Sequence, residues 1–251
     1  MVAAINSFPA AYHEDYFSTS PLATAYLQSP PTGPSATALA GKLISVLGNW
    51  GAGGRKAPST ATLEKCGESL SDKILHRKLS LIAKNLSPAN VGLNGNRRTI
   101  NSLPKERACN LLELCLLSTL RQLSDALFTN NTNVTYPMKA LLLITGAGPA
   151  LDSQVRKGLR SAGFSGVDRT QFLLPSDISS ADGLKLTRLP FILGQCYANN
   201  KNIFQWAASQ SRYPSLTEHP GRIFDVLLFV QAQLKAPVLE LADLKQPWYV
   251  S

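Results

Sequence analysis

Leu103-Pro-Lys-Glu-Arg-Ala-Cys-Asn-Leu-Leu-Glu-Leu-Cys-Leu-Leu-Ser-Thr-Leu-Arg-Gln-Leu-Ser-Asp-Ala-Leu-Phe128 is the most regular stretch of the chain. Leu111, Leu112, Cys115, Leu116, Leu120, Leu123 and Leu127 recur at intervals of three and four, the period of one helix face. A leucine face this broad is satisfied only by burial against other helices. Ser102 followed by Pro104 reads as a helix cap with proline in the first turn.

Outward from that helix the same period recurs. Residues 37–49 carry Leu39, Leu43, Ile44 and Leu47, and Gly51-Ala-Gly-Gly54 ends the run. Residues 63–86 place Leu63, Cys66, Leu70, Ile74 and Leu81 on one side and Lys73, Arg77, Lys78 and Lys84 on others, which predicts one amphipathic helix with a basic side. Further helices are expected over 151–162, 189–208 and 223–234, between clusters of Gly, Pro and Ser. No repeat of fixed period appears. The expected fold is mainly α: a basic helical core over residues 42–235, an extended, flexible N-terminal arm over 1–41 and a short C-terminal tail over 236–251.

The arm follows from composition. Residues 1–41 hold two acids, Glu14 and Asp15, and no Lys or Arg, so the remaining 210 residues carry +11 of a net +9. Pro9, Pro21, Pro30, Pro31 and Pro34 argue against a long helix, while Phe8, Tyr12, Tyr16, Phe17 and Tyr26 offer rings for docking on a neighbouring subunit. The same segment has the Ala, Ser and Thr content of an organellar leader but the wrong charge for one. With 44% hydrophobic and 16% charged residues the chain as a whole has material for a core. No apolar run approaches the roughly 20 residues of a membrane span, so no membrane partner is expected.

Catalytic motifs are sparse. Lys139-Ala-Leu-Leu-Leu-Ile-Thr-Gly-Ala-Gly-Pro149 resembles a strand entering a phosphate-cradling glycine loop, with Asp168 about 20 residues on, but the third glycine of a dinucleotide fingerprint is missing. A helix stop and restart, with proline opening the next helix, explains it as well. Tyr197 and Lys201 have the Y-x-x-x-K spacing of short-chain dehydrogenases without that family's glycine pattern or strands. His13, His76 and His219 are scattered, and Cys66, Cys109, Cys115 and Cys196 contain no C-x-x-C. The reading is of a protein with no catalytic residue, metal or cofactor, in a reducing compartment.

The cations remain. They are spread over several predicted helices, which suits a groove that follows a phosphodiester backbone without reading sequence. The expected RNA contacts are Arg97, Arg98, Lys105, Arg107, Arg156, Lys157, Arg160, Arg188, Lys201, Arg222 and Asp225, densest in Asn96-Arg97-Arg98-Thr99 and Arg156-Lys157-Gly158-Leu159-Arg160. A merely basic solvated surface is the plain alternative.

One resemblance bears on this. Residues 189–208, with Cys196-Tyr197, Phe204 and Trp206, precede Gly221-Arg-Ile-Phe-Asp-Val-Leu-Leu-Phe229. This order resembles the C-terminal half of coat proteins of flexuous filamentous plant viruses, where a helix leads into an aromatic-Asp-aromatic motif; Val226 stands where the second aromatic is expected. The nucleocapsid proteins of segmented negative-strand RNA viruses are a parallel destination. The resemblance implies a subunit of virion or host cytoplasm that encapsidates single-stranded RNA and forms homo-oligomers through its arm, with Arg222 and Asp225 as paired charges beside the RNA groove. The alternatives are a nucleotide-using enzyme built on the Gly146–Pro149 loop and a basic scaffold without nucleic acid.

Overall fold

The computed structural model describes residues 1–167, 169, 171–234 and 237–241. Most of the expected tail at 236–251, and Asp168, lie outside the described residues. The fold is mainly α. Its helices are α1 (Val2–Ser7), α2 (Ala10–Gln28), α3 (Gly33–Asn49), α4 (Leu63–Ser71), α5 (Lys73–Asn85), α6 (Glu106–Leu127), α7 (Thr135–Thr145), α8 (Ser153–Ser161), α9 (Ala181–Ser209) and α10 (Pro220–Gln231), with a 3₁₀ turn at Pro214–Glu218. A small antiparallel sheet, β1 (Val91–Asn94), β2 (Arg97–Ile100) and β3 (Leu103–Pro104), stands before α6.

α6 crosses the core as its leucines require. Leu112, Leu116, Leu120, Leu123 and Leu127 are buried against α4, α5, α7 and α9. Leu111, expected on the same face, is 58% exposed. The cap expected at Ser102 is absent, because Leu103 and Pro104 pair with Ile100 and Thr99 as β3 and the helix opens at Glu106. The helix expected over 63–86 is two. Asp72 ends α4 and accepts hydrogen bonds from the Ile74 and Leu75 amides (2.9 and 2.7 Å), capping α5. Residues 139–144 lie within α7 and are buried throughout, so the period of a strand and that of an all-round buried helix coincide over so short a run.

The largest correction concerns residues 1–41. They are not an extended arm: α1, α2 and the first half of α3 pack on the chain's own core, with Ile5, Phe8, Tyr16 and Tyr26 buried. The aromatic residues decide this. Pro21 sits inside α2 at an exposed position, where its missing N–H costs on the order of 3 kcal/mol. Each buried Tyr or Phe contributes about 1.5–3 kcal/mol in the other direction. Pro34, in the first turn of α3 behind a capping box formed by Thr32 and Ser35, favours the helix it was expected to break.

Candidate nucleic-acid interface

Of the eleven expected RNA contacts, five belong to the interior. Arg98 leaves β2 toward α6, where it pairs with Glu106 and Glu113 and donates to Asn110 Oδ1 (2.8 Å). Arg188, on α9, has its Nε 3.7 Å from the other oxygen of Glu113. Burial works against the Arg188 charge and the Glu113 carboxylate supports it. Arg156 donates to the carbonyls of Arg169 (2.7 Å) and Val167 (3.3 Å), closing the loop after α8.

Arg222 and Asp225 are the most deeply set, at 1% and 3% exposure. They form an ion pair one helical turn apart at the start of α10. The guanidinium lies over the rings of Phe8, Tyr16 and Trp50 (centroids at 4.9, 5.0 and 5.4 Å) and donates to the Tyr12 carbonyl (2.7 Å). Asp225 accepts from the Ala150 amide (2.8 Å). Burial pushes the Asp225 carboxyl above the usual carboxylate range, and the Arg222 charge opposes that shift. The pair therefore fastens the N-terminal helices and the 146–150 loop to α10. It is paired as the resemblance implied, but it faces no solvent.

That bond also corrects the glycine loop. α7 precedes it rather than a strand, and Gly146 (φ 64°) is the left-handed residue that ends the helix. Residues 147–150 are buried, and the anion at the Ala150 amide is the protein's own Asp225. The next helix, α8, is capped by Asp152, so Pro149 does not open it. A phosphate at this loop would have to displace a core carboxylate. The Tyr197–Lys201 pair is likewise split, since Tyr197 is buried and stacked parallel to Phe204 (5.7 Å) whereas Lys201 is exposed beyond a non-helical Asn200.

Six expected contacts reach the surface: Arg97, Lys105, Arg107, Lys157, Arg160 and Lys201. They do not line one continuous trough. Lys157 and Arg160 project from α8, while Arg97, Lys105 and Arg107 surround the small sheet. Asn94 pairs with Arg97 across a two-residue turn whose Gly95 has φ 58°, placing Arg97 at the hairpin tip. Pro104 of β3 pairs with Thr99, and Lys105 and Arg107 follow it directly at the start of α6. The Gly-Asn step at 95–96, between the two strands, is the local sequence signal for this hairpin.

α9 holds the sheet from behind. Gln195 Oε1 accepts from the Leu93 amide (3.0 Å), and Gly194 passes so close to β1 that a Cβ there would stand 2.6 Å from the Val91 carbonyl carbon. A cleft of about 410 Å³ opens between hairpin and helix, lined by residues 88–94, Thr99, Ser102, Gln195, Tyr197, Ala198 and Lys201. The acids nearest in sequence, Glu106 and Glu113, are taken up by Arg98 and Arg188. Arg97, Lys105, Arg107 and Lys201 make no ion pair with any described residue, so the patch is locally uncompensated.

Among the described residues no three His, Cys, Asp or Glu side chains stand together to hold a metal ion, and no helix is long and apolar enough to cross a membrane. The four cysteines are free thiols; burial raises the pKa of Cys66, Cys109 and Cys115. Compared with known proteins, the chain matches no family model, no curated protein and no solved structure.

Proposed function

We propose that the protein is a non-catalytic single-stranded-RNA-binding subunit of the nucleocapsid type, acting in a virion or the host cytoplasm, and that it grips phosphates with the hairpin patch of Arg97, Lys105 and Arg107 and with Lys201 at the edge of the cleft. The observation that carries the reading is the uncompensated charge of this patch in a chain whose residues beyond 41 hold +11. A hairpin tip and the first turn of α6 can follow a flexible strand, and lysine and arginine on phosphate neutralise charge without reading bases. Self-association through residues 1–41 would require those helices to leave their own core first. In the packed form the RNA contact stands without it.

The test is a salt titration with a labelled oligouridylate. Each single-strand phosphate contact contributes about 0.7 to the slope of log K against log salt, so the triple variant R97A/K105A/R107A is expected to flatten the slope by about 2. K157A/R160A, on α8, should leave it within about half of one contact. Absence of binding at low ionic strength, or an unchanged slope in the triple variant, removes the patch from the interface.

A further inference from the structure

The N-terminal helices close over α10 around one imidazole. His13, on α2, has 0% exposure, and neither ring nitrogen makes a hydrogen bond. Its ring stacks on Tyr213 at 3.7 Å (23° between planes), with Phe8 and Phe17 completing the enclosure at 5.0 and 6.1 Å. Phe8 is shared with Arg222, so the imidazole and a permanent guanidinium cation occupy one aromatic box. A neutral ring fits there. An imidazolium would find only the Ile5 carbonyl as an acceptor and no free carboxylate, because Asp225 is engaged by Arg222 and by the Ala150 amide.

We propose that His13 is an acid-operated latch: its protonation places a second cation in the Arg222 box and drives α1 and α2 off the α10 face. Burial, with Arg222 adding to it, lowers the His13 pKa from 6.5 to about 3, the Ile5 carbonyl pulling weakly the other way. A released imidazole regains the ordinary value. The released form thus binds more protons between pH 6.5 and about 3. The latch is fully closed above that window and weakens as the pH falls through it. From pH 7.5 to pH 5.0 the ratio of released to closed chains should rise about 30-fold.

Other groups face the same junction. From the 3₁₀ turn and its flanks come Tyr213, Glu218 and His219; His219 Nδ1 is bonded to the Tyr16 hydroxyl (3.1 Å), and burial lowers its pKa too. α10 contributes Arg222 and Asp225, with Lys139 and Asp152 behind them. On α2 itself Asp15 accepts from Trp50 Nε1 (3.0 Å) and Asn49 Nδ2 (3.2 Å). At the far end of the helix His76 Nε2 bonds to the Tyr26 carbonyl (2.8 Å). His13 differs from both other histidines in having no hydrogen-bond partner in the closed state.

Amide exchange of the full chain, corrected for the intrinsic pH dependence of the chemistry, reads the release directly. Exchange over residues 2–28 should rise about 30-fold from pH 7.5 to 5.0 while α6 stays protected. His13→Phe keeps a ring in the box but cannot titrate, and should cut that rise at least tenfold; His76→Gln should retain it. Should H13F fail to fold, the wild-type His13 ring resonance serves, since it must titrate together with loss of protection in α2. The latch is overturned by unchanged protection over residues 2–28, by a full response in H13F, or by a His13 ring that titrates near 6.5 while α2 remains protected.

Discussion

Asp225→Ala is expected to lower the unfolding free energy by about 3–5 kcal/mol, the range for removing one partner of a buried ion pair. The loss has two sources. Arg222, 1% exposed and permanently charged, is left without a counter-ion among Phe8, Tyr16 and Trp50, and the Ala150 amide loses its acceptor. Removing both charges should cost less than removing one. In R222M/D225N the amide oxygen still accepts from Ala150, and the Tyr12 carbonyl, inside α2, keeps its helical bond. Urea unfolding of the two variants decides the matter. A stable D225A protein that had lost RNA affinity would return this pair to the groove implied by the viral resemblance.

Gly158→Ala should destabilise the chain by about 2 kcal/mol, although the same change in an isolated helix would stabilise it. Alanine gains on the order of 1 kcal/mol over glycine in a helix interior. Against that, α8 crosses α10 through Gly158, where a Cβ would stand 2.6 Å from the Leu228 carbonyl carbon, 3.0 Å from its Cα, and closer still to its oxygen. These are backbone atoms of a buried helix and cannot turn aside, so the upper end of the overpacking range, about 3 kcal/mol, applies. Lys157→Ala, one residue away and exposed, should stay within about 0.5 kcal/mol. A G158A protein as stable as the wild type would mean that α8 and α10 can separate at little cost.

Both substitutions fall in segments expected at the RNA interface, one from its charge density and the other from the viral resemblance. Arg156-Lys157-Gly158-Leu159-Arg160 is dense in charge, but its glycine is a helix crossing and Arg156 binds two backbone carbonyls. Local density of Lys and Arg says nothing about which side of a helix they occupy once a neighbour covers it. Arg97 and Arg98 show the same limit. Adjacent strand residues point to opposite faces, so one reaches the hairpin tip and the other the Glu106–Glu113 pair. His13 gave no sequence signal, because Phe8 and Phe17 stand near it on the chain but Tyr213, on which it stacks, and the Arg222 charge come from about 200 residues away.

Periodicity alone determined that this chain is mainly helical, because a stripe of leucines at three and four must be buried whatever it is buried against; it also placed five helices near their observed positions and merged α4 and α5 into one. Composition alone determined the charge segregation, since Lys and Arg begin only at Lys42. What the tertiary structure decided is where each charge and each aromatic ring ends up. Residues 1–41 fold onto the core because Phe8, Tyr16 and Trp50 assemble a box around a guanidinium more than 170 residues away from the nearest of them, Trp50. A contact over that separation leaves no local pattern, and it is burial, paid for in the entropy of closing so long a loop, that makes Arg222 a core residue rather than a surface cation.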